Sequence, residues 1–230
     1  MNLEKVNGYG VAGSDIEGGW DPKFKKELKR ISMKTIMNQI SFMEKIKLMF
    51  AFKAEQKKAA KVDLKEIRAK GMTNEAFINQ QLQVLSLYAA LKQMFGAERA
   101  LKMMFSIMDA TVEALRRSMP TPEDVKEYGD AFEFFREYIS AMPEPARKAG
   151  CHHITIPENT DKAIEFDVTY CVWYELAKKM NVTEACAANC YSDEMLYPDY
   201  FKSFGITYKR SATLAQGAPQ CDFRFEKDVI

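Results

Sequence analysis

The spacing of the apolar residues changes at Gly150, and this change limits the possible folds more than any other feature of the sequence. Before Gly150, apolar residues recur at steps of three to five, which is the spacing of amphipathic α-helices. After it, residues 164–170 alternate strictly between apolar and polar side chains, as in a strand with two different faces. We therefore predict a flexible lead-in at 1–21, a helical region at 22–145 and a mixed α+β region at 146–230 that forms one compact unit with the helices.

Local signals divide the helical region into four helices. The first carries apolar residues from Phe24 to Phe50 and is expected to break within that length. The pair Thr73-Asn74 supplies the predicted N-cap of the second helix, and Gly96 separates that helix from the third. Thr121 is predicted to begin the fourth helix, which we expect to end at Pro143.

The mixed region contains four candidate strands and two short candidate helices. The strands are predicted at 151–156, 164–170, 207–214 and 221–226, with helices at 172–180 and 182–190 between the second and third strands. This β-β-α-α-β-β order closes most simply as a four-stranded antiparallel sheet covered by helices. The predicted fold class is α+β, with an N-terminal helical layer followed by the sheet.

The overall charge and hydropathy exclude several classes of partner. Lys and Arg number 33 against 32 Asp and Glu, a formal net charge of +1, so we expect neither a nucleic acid nor a membrane as partner. The start of the chain lacks the apolar core of a signal peptide, and no apolar stretch is long enough to span a bilayer. The sequence predicts a cytoplasmic protein.

The cysteines form the most specific local pattern. All five lie in the last 80 residues, at 151, 171, 186, 190 and 221. We do not expect them to form disulfides, because the cytoplasm keeps thiols reduced. Cys186 and Cys190 lie one helical turn apart, while Cys171 and Cys221 lie at strand ends, so four thiols are predicted to converge. Three uses are open: zinc or iron–sulfur ligands, a catalytic nucleophile, or packing as small buried side chains.

Polar residues on two predicted strands form a second pattern. Asp167 and Thr169 share one strand face, and Asp222 and Arg224 share the corresponding face of the last strand. A guanidinium suits a substrate carboxylate, and the two aspartates suit an amidine-like cation. The alternative is a solvated face with cross-strand salt bridges. The only histidines, at 152 and 153, are predicted to point to opposite faces and so not to act as a pair.

Four blocks in order, at 166–171, 184–193, 213–217 and 221–225, resemble the L-2-amino-thiazoline-4-carboxylic acid hydrolase family. The resemblance implies a hydrolase that opens a cyclic amidine with water to give a carbamoyl-cysteine, acting on carbon–nitrogen bonds other than peptide bonds. A thiolate of Cys171 or Cys221 would attack the amidine carbon, or a metal held by thiolates would deliver hydroxide. In this interpretation Asp167 and Asp222 stabilise the cation, while Arg224 and a threonine, Thr169 or Thr213, bind the carboxylate.

Other functions remain as alternatives at this point. The terminal blocks are also similar to four-vinyl-reductase-like sensor domains, which would make the chain a metal- or ligand-binding module, and an iron–sulfur enzyme is a third possibility. A small molecule is the expected ligand in each case. Eleven of the fourteen methionines lie between Met33 and Met142, where they can form core, an adaptable pocket or the interface of a homo-oligomer.

Overall fold

Helices form the first part of the chain and a four-stranded sheet the second. The computed structural model describes residues 22–117 and 119–228, so the predicted flexible lead-in at 1–21 lies outside the described residues. The helices before the sheet are α1 (Pro22–Met37), α2 (Phe42–Ala59), α3 (Lys65–Ala69), α4 (Glu75–Phe95), α5 (Ala97–Arg116), α6 (Pro122–Tyr128), α7 (Ala131–Ser140) and α8 (Pro143–Lys148).

Side-chain caps begin four of the eight described helices before the sheet. The predicted break in the first helix lies between α1 and α2, where Ser41 and Glu44 form a reciprocal capping box. Asn74 caps α4 as predicted, and Thr121 forms a second capping box with Asp124 at the start of α6. Each of these side chains satisfies a backbone N–H that the first helical turn leaves without a partner.

The predicted fourth helix is wrong in two details. Gly129, with a φ of 108°, interrupts it and separates α6 from α7. The following helix α7 ends at Ser140, and Pro143 begins α8 instead of ending α7. A proline fits the first helical position because the N–H that it lacks would have no intrahelical partner there.

The sheet has the predicted number of strands, and the strands and helices follow the predicted order along the chain. Its strands are β1 (His152–Asn159), β2 (Ala163–Cys171), β3 (Ile206–Lys209) and β4 (Cys221–Lys227), in the order β1-β2-β4-β3 with antiparallel neighbours throughout. Helices α9 (Val172–Lys179) and α10 (Cys186–Lys202) lie between β2 and β3 in the chain, with a 3-10 turn between them. The α+β class and the β-β-α-α-β-β order are confirmed.

Strand β3 is shorter than predicted. It ends at Lys209, whereas the sequence predicted a strand to residue 214. The backbone N–H groups of Ser211 and Ala212 donate to the carboxylate of Asp222, at 3.0 and 2.6 Å, instead of to a strand. Thr213 then caps the 3-10 turn Leu214–Gln216. A side chain ten residues further along the chain thus ends the strand.

Two apolar cores hold the layers together. The first lies among α1 to α5 and includes the inner faces of α9 and the start of α10. The second lies between α6, α7, the end of α10 and the apolar face of the sheet, where Phe166 stacks on Phe223 with ring centroids 4.5 Å apart. Val168, Cys221 and Phe225 share that face, so the predicted orientation of β2 and β4 is confirmed. Within the described residues, no helix combines the length and apolarity needed to cross a membrane.

Candidate functional site

Four cysteines from three elements converge where α10 packs against the sheet. Cys171 ends β2, Cys221 begins β4, and Cys186 and Cys190 lie one turn apart on α10. They are close enough to interact electrostatically, since the other three thiols all raise the pKa of Cys171. We call these four residues the thiol cluster. Cys151 is a separate buried thiol, and its Sγ donates to the carbonyl of Ala146 at 3.3 Å.

Burial keeps the cluster thiols protonated. It raises the pKa of Cys186 and of Cys190 to about 12, and that of Cys171 well above its ordinary value. Burial also raises the pKa of Cys221, but two contacts oppose the rise: the N–H of Leu214 donates to its Sγ at 3.2 Å, and the positive charge of Arg210 lies nearby. The pKa of Cys221 is still raised overall, so its thiolate forms only when a base accepts the proton.

An aspartate–arginine pair lies beside the thiol cluster. The side chain of Arg210 is only 5% exposed and donates to the Asp193 carboxylate at 2.7 Å and to the Cys190 carbonyl at 2.6 Å. Burial raises the pKa of Asp193 to about 6, and Arg210 opposes this rise. A carboxyl group with this pKa exchanges protons readily near neutral pH.

The sequence analysis missed both members of this pair as functional residues. Asp193 lies three residues after Cys190 and seven after Cys186, so helical spacing alone places it on the same face of α10. That signal was present in the sequence. Arg210 follows a short edge strand, and no local pattern distinguishes it from the other arginines.

The polar face of the sheet carries a network around Arg224. Its guanidinium contacts Glu158 at 2.5 Å, Glu165 at 2.9 Å and Glu226 at 2.7 Å. These three carboxylates raise the pKa of Arg224. A substrate carboxylate would have to displace at least one of them, so the network matches the cross-strand salt bridges that the sequence left as the alternative.

Asp167 and Asp222 lie directly opposite each other on β2 and β4. Burial raises the pKa of Asp222, but hydrogen bonds from Ser211 and Ala212 outweigh it and leave the pKa lowered. Asp167 is buried, its Oδ1 has no partner among the described residues, and its pKa is raised by burial and by the charges of Glu165 and Asp222. The pair thus separates into an ionised and a readily protonated carboxyl group.

The two predicted threonines have different surroundings. Thr169 is exposed, and its hydroxyl donates to the carbonyl of His153 at 3.5 Å. Thr213 is buried and hydrogen-bonds the side chain of Cys190, which places it at the thiol cluster. The two histidines contact different rings: His152 stacks on Trp173, and His153 packs against Tyr170. Burial lowers the pKa of His152 to about 4, so this imidazole is neutral at pH 7.

The predicted site residues thus form two groups on opposite faces of the sheet. Cys221 points to the core with the thiol cluster and Thr213, whereas Asp222 and Arg224 point to the polar face with Asp167. Consecutive residues of β4 alternate between its faces, which explains the division there, whereas on β2 the register shift at Thr169 lets Cys171 join the thiol cluster although Asp167 lies four residues earlier. Within 22–117 and 119–228, no three His, Cys, Asp or Glu side chains are arranged to hold a metal ion. The thiols as placed do not form a zinc or iron–sulfur site, and that role stays a prediction.

A cleft lies beside the start of α10. It has an empty volume of about 280 Å³, including the part open to solvent. Ala185 and Asn189 line it, and each immediately precedes a cluster cysteine in the chain. Its other lining residues are Gln81, Val84, Leu85, Met104 and Trp173. The enclosed part of the cleft measures about 10 Å³, room for about one water molecule, so the cleft as placed is a shallow depression and not a substrate pocket.

Comparison with known proteins identifies the family. Neither the curated proteins nor the solved structures contain a match to this chain. A family model described as L-2-amino-thiazoline-4-carboxylic acid hydrolase matches residues 76–225, about two thirds of the chain. The matched range contains the thiol cluster, the Asp193–Arg210 pair, the cleft and the polar sheet face up to residue 225. The chain therefore belongs to the L-2-amino-thiazoline-4-carboxylic acid hydrolase family, as its C-terminal sequence blocks predicted.

Proposed function

We propose that this protein is a cytoplasmic enzyme that hydrolyses L-2-amino-thiazoline-4-carboxylate or a closely related cyclic amidine at the thiol cluster. The observation that carries the proposal is that the hydrolase-family match includes every residue of the cluster and of the adjoining Asp193–Arg210 pair. A thiol, a carboxyl group that titrates near neutral pH and a buried guanidinium supply a nucleophile, a proton acceptor and a positive charge in one place.

In the proposed reaction, Cys221 is the nucleophile. Asp193 accepts the thiol proton, and the Leu214 N–H and the charge of Arg210 stabilise the thiolate. The sulfur attacks the amidine carbon, the ring C–S bond breaks, and the substrate sulfur leaves with the proton. Water then attacks the same carbon and releases Cys221. The net reaction adds one water to the substrate and yields N-carbamoyl-cysteine.

The polar sheet face is a second candidate site for the same chemistry. Ionised Asp222 can stabilise an amidinium cation, and Asp167 can donate a proton to a leaving atom. Arg224 is already paired with three glutamates, and Thr169 lies four residues along β2 from Glu165, the residue opposite Arg224, so the two residues do not hold one substrate carboxylate together. Loss of turnover on replacing Asp167 but not Cys221 would assign the reaction to this face.

The experiment is product analysis with purified full-length protein and L-2-amino-thiazoline-4-carboxylate. Cleavage of the ring C–S bond gives N-carbamoyl-cysteine with a free thiol, whereas cleavage of the ring C–N bond gives S-carbamoyl-cysteine with a free amine. Mass spectrometry detects either product, and thiol titration distinguishes them. We expect a free thiol. This result would mean that the enzyme cleaves the ring C–S bond and not the carbon–nitrogen bond that the resemblance implies.

Three controls make the result specific. Cys221→Ser should abolish turnover, while Cys151→Ser, a buried cysteine outside the cluster, should retain it. Loss of turnover with a chelator would instead assign the thiols to a metal. Tight binding of the amino-thiazoline by folded protein without any product would indicate a ligand-binding module and overturn the proposed enzyme.

A further inference from the structure

The positive charge of this protein is concentrated at one end of the described chain. Residues 22–61, which we call the basic arm, contain twelve Lys and Arg against three Glu, a formal charge of +9 in a chain whose total is +1. The arm comprises α1, the connection 38–41, α2 and the two residues after α2, and it precedes the range that the family model matches. The near-zero total charge conceals this asymmetry.

The outer side of α2 is apolar as well as basic. Five large apolar side chains are exposed there, including Phe42 at 73% and Phe50 at 64%; the others are Met43, Ile46 and Met49. Their spacing places all five on one side of the helix, whereas Leu48 and Ala59 on the opposite side are buried in the first core. We call these five residues the apolar ridge.

Exposed lysines continue the same side of the helix. Lys53 and Lys57 follow the ridge at helical spacing, and Lys47 lies at its flank. On α1, Met33 is also exposed, together with Lys29 and Lys34. This surface combines apolar side chains that can enter the boundary below lipid head groups with lysines that attract anionic head groups, the two contributions to binding at a membrane interface.

We propose that the apolar ridge and the surrounding lysines of the basic arm dock this protein on an anionic lipid surface. The phenyl rings and methionines would enter the boundary between head groups and acyl chains, and the lysines would contact anionic head groups. The helix would lie on the bilayer without crossing it. The proposal revises the expectation of no membrane partner, which rested on the total charge, and it is independent of the proposed hydrolase activity.

Two other occupants of the ridge are less favoured. A twofold dimer through this face would bring two arms of charge +9 together, because a symmetric interface uses the same patch of both subunits. A protein partner would need a groove complementary to a convex ridge, whereas lipid chains deform around it. The charge and the shape both favour a bilayer.

The test is co-sedimentation of full-length protein with vesicles. Vesicles of phosphatidylcholine alone are compared with vesicles containing 30% phosphatidylserine, at low and at high salt. We expect binding only to the anionic vesicles and a strong decrease at high salt. Lys53→Glu with Lys57→Glu should weaken binding by more than about tenfold, since each basic residue near an anionic surface contributes about a fivefold change.

Matched variants separate the two contributions. Phe42→Ser with Phe50→Ser removes apolar contacts without changing charge and should also weaken binding more than tenfold. Lys126→Glu with Lys162→Glu makes the same charge change at exposed positions outside the arm and should retain most of the binding. Circular dichroism checks that each variant is folded.

Several results would overturn the proposal. One is a folded protein that does not bind anionic vesicles at low salt. Another is binding that both arm variants leave unchanged. A third is a stable dimer, detected by sedimentation, that the phenylalanine variant dissociates, because this would make the ridge an interface between copies of the chain.

Discussion

Replacing Arg210 with methionine tests the electrostatics of the candidate site. Arg210→Met keeps most of the apolar stem but removes the guanidinium that contacts Asp193, Glu194 and the carbonyl of Cys190. Removing one member of a buried ion pair costs about 3–5 kcal/mol. Because the Asp193 side chain is 26% exposed, we expect the lower end, about 3 kcal/mol at pH 8.

The cost should depend on pH, and its sign follows from the raised pKa of Asp193. In the folded protein this carboxyl group has a pKa of about 6, above the ordinary value of 3.8, so ionisation destabilises the fold as pH rises between these values. Without Arg210 its pKa rises further, and the destabilisation extends to higher pH. At pH 5 Asp193 is neutral, and the variant should lose only hydrogen bonds worth about 1 kcal/mol.

Thermal unfolding at the two pH values measures this difference. For a chain of this length, about 1 kcal/mol corresponds to about 2–4 °C in Tm, so Arg210→Met should lower Tm by about 6–12 °C at pH 8 and by about 2–4 °C at pH 5. Adding Asp193→Asn should remove most of the pH dependence. An equal loss of stability at both pH values would refute the assigned charge state of Asp193.

Three further predictions follow from the structure. Asp167→Asn should raise the free energy of unfolding, measured in urea at pH 7, by about 1 kcal/mol, because it removes a buried carboxylate oxygen without a hydrogen-bond partner among the described residues. The gain should vanish at low pH, where the raised pKa of Asp167 leaves the carboxyl group of the wild-type protein protonated. Gly150→Ala should lower the free energy of unfolding by more than about 3 kcal/mol, since its Cβ would lie 2.1 Å from the backbone nitrogen of Met72. Gly217→Ala has open space around its Cβ and should lower the free energy of unfolding by only about 1–2 kcal/mol. Equal losses of stability in the two variants would contradict the predicted clash. Arg224→Ala should lower Tm with little change in KM for the amino-thiazoline, because it leaves three neighbouring glutamates without their shared cation; a raised KM at unchanged Tm would show instead that Arg224 binds substrate.

The spacing of apolar residues predicted the helices and strands that are buried on one side and exposed on the other. Strand β2 extends one residue beyond the predicted 164–170 at each end, because strict alternation is visible in the sequence itself. The four cysteines followed from the same logic, since helical spacing and strand ends place them together. Asp193 was missed because the predicted helix ended at residue 190, whereas α10 continues to Lys202.

Features that depend on distant contacts could not be predicted. Strand β3 ends early because the Asp222 side chain binds the N–H groups of Ser211 and Ala212, a contact that no local pattern encodes. Arg210 becomes buried only because α10 presents Asp193 and the Cys190 carbonyl to it.

Periodicity also cannot show which side of a helix the rest of the protein covers. Met43, Ile46 and Phe50 fit the predicted stripe of α2, yet they are exposed while Leu48 is buried. The first half of α2 is apolar on both sides, so the pattern alone did not reveal an outward apolar surface.

The most direct test of the proposed activity is intact-protein mass spectrometry of full-length protein quenched during turnover of L-2-amino-thiazoline-4-carboxylate. We expect a covalent adduct equal in mass to one substrate molecule, and digestion of the quenched protein should locate it on the peptide that contains Cys221. The adduct and the carbamoyl-cysteine product should both be absent in Cys221→Ser and present in Cys151→Ser. Product formation by Cys221→Ser at the wild-type rate, or no product from the folded wild-type protein, would contradict the proposed reaction.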